Sequence, residues 1–250
     1  MNPETARIET MASLRAAVRA LESPAGRGAG AVLPFGIDAV DGRLADGGLA
    51  VAALHEAAAA RGGLPDEAAA TLFLAAIAAR RDGPVLWALG RRDLFAPGLA
   101  GAGLKPDRLL YAECGRDEDV LAVMEEGLRH GGLAAVVGEA RRVPMAATRR
   151  LQLAAEEGGT PALLLRRRRK ADEDPLAAPS AAVTRWRIAS APSAPLPAAG
   201  IGRARWHVAL ARQRGGEPHD WILEAANAEA RLALPAGAEH RAGAERKAAA

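Results

Sequence analysis

Large apolar residues fall at Met11, Leu14, Val18 and Leu21, a spacing of three, four and three that sets them on one face of a helix over residues 3–23. Thr5 or Thr10 can start this helix, and Pro24 with Gly26 stops it. Residues 24–47 are rich in glycine and proline, yet they carry Phe35, Ile37, Val40 and Leu44, so they are expected to pack down rather than swing as a linker. From Gly48 onward, short apolar runs alternate with amphipathic stretches. The runs are GLAVAALHEA (48–57), PVLWALG (84–90), RLLYAEC (108–114), LAAVVGEA (133–140) and PALLLRR (161–167). Continuous apolar runs of this length predict strands buried on both faces. Between them lie three helices, over 66–83, 115–132 and 143–159, and a connection at 92–107 broken by Pro97 and glycines.

Strand–helix alternation implies parallel pairing, right-handed crossovers and helices on both faces of one sheet. After residue 170 the pattern becomes two-residue alternation. Val183, Trp186 and Ile188, then Trp206, Val208 and Leu210, then a stretch through Leu223 read as three half-exposed antiparallel strands extending one side of the sheet as a meander. The expected organisation is an N-terminal amphipathic helix (1–23), a Gly/Pro-rich lead-in (24–47), an α/β core (48–236) and a tail with few large apolar residues (237–250).

Composition narrows the class. The 250 residues hold 33 basic and 30 acidic side chains, and half are hydrophobic, which excludes disorder throughout. No run of about 20 apolar residues exists to span a membrane, and the first residues carry acids instead of a signal core. Cytoplasmic location is the expectation. The single cysteine, Cys114, has no partner for an internal disulfide, and the five histidines show no metal-ligand spacing. All but three of the basic residues (Lys105, Lys170 and Lys247) are arginines; a GC-rich genome and a phosphate-facing surface both account for that.

In a chain of this pattern, candidate chemistry lies at the strand ends. A phosphate loop needs glycines, a lysine and a Ser or Thr between the first strand and its helix. That connection here holds Gly62 and Gly63 but no lysine, and Asp66 with Glu67 at the helix start would repel a triphosphate. The fourth strand ends in Gly138 and Glu139, where a magnesium-side Asp would stand. His55 beside Glu56 offers an acid–base pair or, more simply, two residues at the sheet rim. Between residues 139 and 170 nine side chains are basic and three are acidic. Arg141 and Arg142 follow the fourth strand, and Arg166, Arg167, Arg168, Arg169 and Lys170 follow the fifth. Guanidinium forks match phosphate oxygens, so these seven are the candidate DNA contacts, against the alternative of a solvated charge run.

The run LPFGIDAVDGRLADGGL resembles the lead-in to the RecA ATPase core, through Pro34, Phe35, Gly36, Ile37, Asp38, Asp41, Leu44, Gly47, Gly48 and Leu49. The WRIA and RWHVALARQRGGEPHDWILEA segments resemble the meander that completes that core. A RecA-like core without its phosphate loop resembles the ImuA family of damage-inducible mutagenesis proteins, over roughly residues 30 to 235. The resemblance implies a central, mostly parallel sheet flanked by helices and completed by antiparallel C-terminal strands. It implies a non-catalytic adaptor without cofactor in the SOS response and translesion synthesis. The implied partners are an ImuB-like Y-family polymerase relative, RecA, an error-prone replicative-type polymerase and, weakly and non-specifically, DNA. The RecA family's two DNA loops correspond to Arg141 and Arg142 and to Arg166–Lys170. The stripe of Met11, Leu14, Val18 and Leu21 is the candidate partner face, with packing on its own core as the alternative. Two rival readings stand: an ATPase with an atypical phosphate site, and a SulA-like cell-division inhibitor.

Overall fold

A computed structural model describes residues 30–170, 172–194, 200 and 202–235. The expected N-terminal helix with Met11, Leu14, Val18 and Leu21, and the expected tail, lie outside the described residues.

The buried apolar runs form strands where uninterrupted Ala, Leu and Val leave no polar face for solvent: β3 (Leu54–Ala59), β4 (Val85–Leu89), β5 (Leu109–Glu113), β6 (Ala135–Ala140) and β7 (Ala162–Arg166). The alternating segments form β8 (Thr184–Ala191), β9 (Arg205–Gln213) and β10 (His219–Glu224). These eight make one sheet in the order β10-β9-β8-β3-β7-β6-β4-β5. One point differs from the sequence expectation. β8 lies parallel to β3, and only β9 and β10 turn back antiparallel. The connection over 167–183 is long enough to return the chain to the start of the sheet, as a parallel crossover requires.

Among the described residues five α-helices accompany it: α1 (Asp38–Asp41), α2 (Leu64–Ala79), α3 (Ala96–Gly101), α4 (Asp117–His130) and α5 (Met145–Gly158). In α4 the acids at 117–119 face the helix N-terminus and Arg129 and His130 the C-terminus, matching the helix dipole. Successive strand residues point to opposite faces and so feed two cores. Val85, Trp87, Val137, Leu163 and Trp186 pack with α2 and the lead-in residues Phe35, Ile37, Val40 and Leu44. Ala88, Val136 and Leu164 pack with Val120, Met124 and Leu128 of α4 and Leu151 of α5. The aromatic residues concentrate on the first face, with Phe73 6.0 Å from Phe35 and 5.5 Å from Trp186 between ring centres.

The first strand starts later than its apolar run suggests. Leu49–Ala50 (β2) pairs instead with Val32–Leu33 (β1) in a separate antiparallel ribbon. Gly48 permits this approach, since a Cβ there would lie 2.8 Å from the Pro34 nitrogen. His55 and Glu56 consequently lie inside the sheet, not at its rim, and serve opposite faces. They are not an acid–base pair.

His55 is 1% exposed, and its hydrogen bonds define its tautomer. The Nε2–H donates to the Ala50 carbonyl at 2.8 Å, while Nδ1 accepts from Thr184 Oγ1 at 2.7 Å. That hydroxyl in turn accepts from Trp186 Nε1 at 2.7 Å. Burial pushes the His55 pKa down to about 4, against a partial upward pull from Ala50. The unfolded chain, with histidine near 6.5, therefore binds more protons at acid pH. This contribution to stability is complete above about pH 6.5 and disappears as pH falls toward 4, by about 3 kcal/mol. Urea unfolding at pH 7.5 and 4.5 checks this. A His55→Gln variant should lose about 3 kcal/mol less than the parent across that window; equal losses would contradict it.

Candidate functional site

The C-terminal ends of β3, β7 and β6 lie side by side, with the start of α2 beside them. Gly63 precedes α2 at φ 127°, a conformation open to glycine, and Pro65 fixes the first turn. A helix start of this kind presents free backbone N–H groups and the positive end of the helix dipole. Asp66 lies in its first turn. One of its carboxylate oxygens accepts from Ser190 N at 2.8 Å and Ser190 Oγ at 2.9 Å; the other accepts from Arg61 N at 3.2 Å and Arg61 Nε at 3.0 Å. Asp66 is 4% exposed. Burial alone would raise its carboxyl, but the bonds from Arg61 and Ser190 outweigh that and hold it below the usual carboxylate range.

Glu67 and Glu139 converge on Arg167. Arg167 Nη1 lies 2.6 Å from Glu67, its Nη2 2.8 Å from Glu139, and a further bond reaches Thr71 Oγ1. Glu139 also accepts from the buried Trp87 Nε1 at 2.8 Å. The α2-facing carboxylate at the end of β6 is thus Glu139, while Gly138 faces α4, where a Cβ would meet Met124.

The four-arginine run divides by strand alternation. Arg166 is the last residue of β7 and is 4% exposed, which removes it from the candidate DNA contacts. Its Nη1 bonds Glu56 at 2.9 Å, and Arg185 Nε bonds the other Glu56 oxygen at 2.8 Å. Ser180 Oγ completes the site at 2.9 Å. Arg168 donates to the Ala59 and Ala60 carbonyls at 3.0 and 2.7 Å and to the Glu173 carbonyl. Arg169 pairs with Glu173 at 2.9 Å. Arg141, Arg142 and Lys170 are exposed, and their side chains have no polar partner among the described residues. Because β6 and β7 are adjacent and parallel, these three leave the sheet at one rim. Arg61, Arg185, Ser180 and Ser190 were not singled out from sequence; the isolated Glu56 within the Ala-rich β3 was the available signal for its cluster with Arg166, Arg185 and Ser180.

A nucleoside triphosphate does not fit these residues: the helix start carries a buried carboxylate, and the β6 carboxylate is engaged by Arg167 and Trp87. Among the described residues no group of three or more His, Cys, Asp or Glu is placed to hold a metal ion, and no helix is long and apolar enough to cross a membrane. Cys114 is half-buried after β5; burial and then the Asp119 charge push its thiol up, away from thiolate chemistry.

No protein-family model matches the chain. The chain is similar to Protein ImuA of two Caulobacter vibrioides strains, NA1000/CB15N and ATCC 19089. Each is 41% identical over 208 residues, covering 79% of this chain and 84% of the relative. In fold it is similar to the crystal structure of the RadB recombinase, with a TM-score of 0.55 and 15% identity over 81% of this chain and 99% of that one. The architecture is RecA-like: a mostly parallel central sheet, flanking helices and antiparallel C-terminal strands.

Proposed function

The chain belongs to the ImuA family, and from that membership we propose that it acts in damage-induced mutagenesis as a non-catalytic adaptor. In this reading it is a cytoplasmic SOS-response protein that joins an ImuB-like Y-family polymerase relative to RecA and an error-prone replicative-type polymerase for translesion synthesis. The exposed Arg141, Arg142 and Lys170 hold DNA phosphate weakly and without sequence preference.

The observation that supports a non-catalytic role is the closed helix start. Asp66, bonded by Arg61 and Ser190, stands where phosphate would bind, and Arg167 ties Glu67 to Glu139 across the same rim. An adaptor of this kind needs no nucleotide cycle to change its affinity. Purified ImuB-type partner should therefore bind with the same dissociation constant with and without ATP and magnesium. A change of tenfold or more on adding ATP, about 1.4 kcal/mol, would overturn the reading.

A further inference from the structure

Beyond β7 the chain crosses the α5-side face of the sheet as a strap, and its first stretch is acidic: Asp172, Glu173, Asp174. The strap lies on basic side chains. Arg187 of β8 bonds Asp174 at 2.7 Å, and Arg169 bonds Glu173 through both its backbone N–H and its Nε. Farther along, Arg212 Nη1 donates to the Ser180 carbonyl at 3.1 Å and Arg214 Nη2 to that of Ala181 at 3.4 Å.

The ion pairs of this region fall into two classes. Glu56 is fully buried between Arg166 and Arg185, and such pairs do not exchange with solvent ligands. The strap pairs are open: Arg169 and Asp174 are each 45% exposed and Arg187 37%. Pairs this exposed contribute at most about 1 kcal/mol and yield readily to a competing anion. Arg169 directly precedes Lys170 in the chain, and Arg141 and Arg142 follow the neighbouring strand β6; the side chains of these three lack partners among the described residues.

We propose that Glu173 and Asp174 are a resident stand-in for nucleic-acid phosphate: they occupy Arg169 and Arg187, and a single-stranded DNA backbone displaces them on binding. The strap thereby weakens DNA affinity and adds Arg187 to the DNA contacts. This rests on the reading of Arg141, Arg142 and Lys170 as a DNA rim, and it assigns that rim a built-in competitor.

The test is fluorescence anisotropy of a labelled oligothymidine over a salt series, with thermal melts confirming that each variant folds. The strap variant is Asp172→Asn with Glu173→Gln and Asp174→Asn. A control of equal charge change, Asp38→Asn with Glu217→Gln and Asp220→Asn, lies beside the β9–β10 turn. The strap variant should bind roughly three- to tenfold tighter than wild type. The control should stay within about twofold of the wild-type affinity. Removing the arginines instead, with Arg169→Ser and Arg187→Ser, should flatten the log-affinity against log-salt slope by about 1.4, from two lost single-strand contacts at about 0.7 each. No gain in the strap variant, equal gains in strap variant and control, or a slope left unchanged by removing Arg169 and Arg187 overturns the inference. An Arg141→Ser, Arg142→Ser, Lys170→Ser variant tests the underlying rim separately. Loss of binding there with an unchanged strap variant sinks the strap inference alone, whereas absence of DNA binding by wild type and strap variant at low salt sinks both.

Discussion

Replacing Glu56 with alanine should destabilise the protein by about 3–5 kcal/mol, the largest single-residue effect expected in the core. Glu56 is 0% exposed and is the carboxylate that both Arg166 and Arg185 address; removing it strands two guanidinium groups that cannot give up their charge. Arg166 Nε and Arg185 Nη2 already lack hydrogen-bond partners, so the cluster carries an unmet polar cost before any change. The same reasoning predicts the opposite outcome when the whole cluster is made apolar. Glu56→Leu combined with Arg166→Met and Arg185→Leu should recover most of the loss and reach wild-type stability or exceed it. Urea unfolding of the single and triple variants measures both. A loss under 1 kcal/mol for Glu56→Ala, or a triple variant no better than the single one, would show that the cluster is not held by charge pairing.

Much of the fold was legible because the parallel strands are buried on both faces and so read as unbroken Ala, Leu and Val runs. The expected helix ends at 132 and 159 lie close to those of α4 and α5, where Gly131 and Gly159 adopt positive φ. The direction of β8 was not legible, since two-residue alternation is the same for parallel and antiparallel pairing. The arginine run misled for a related reason. In sequence Arg166 to Arg169 form one block, but alternation sends Arg166 toward Glu56 on one face and Arg167 toward Glu67 on the other. Their partners lie 110 and 100 residues away in the chain, beyond any local pattern. An onset at Gly48 placed His55 and Glu56 at the rim, whereas the ribbon of β1 and β2 delays β3 to Leu54. The missing phosphate-loop lysine and the acids at 66 and 67 were visible from sequence. What the acids do instead depends on Ser190 and Arg167, brought to them only by the fold.

Nucleotide affinity should be absent, an effect larger than any substitution named above. Three features oppose a triphosphate at the start of α2. The Asp66 carboxylate is held by two bonds from Ser190 and three from Arg61. Glu67 adds a second negative charge there, neutralised by Arg167 and not available to exchange without also freeing Glu139, whose side chain is 6% exposed. No lysine stands in the β3–α2 connection to reach outer phosphates. Isothermal titration calorimetry of the full-length protein with ATP and magnesium is therefore the most direct measurement. A closed site gives no heat beyond dilution and no saturation, while a saturable isotherm with a micromolar or tighter dissociation constant would contradict it.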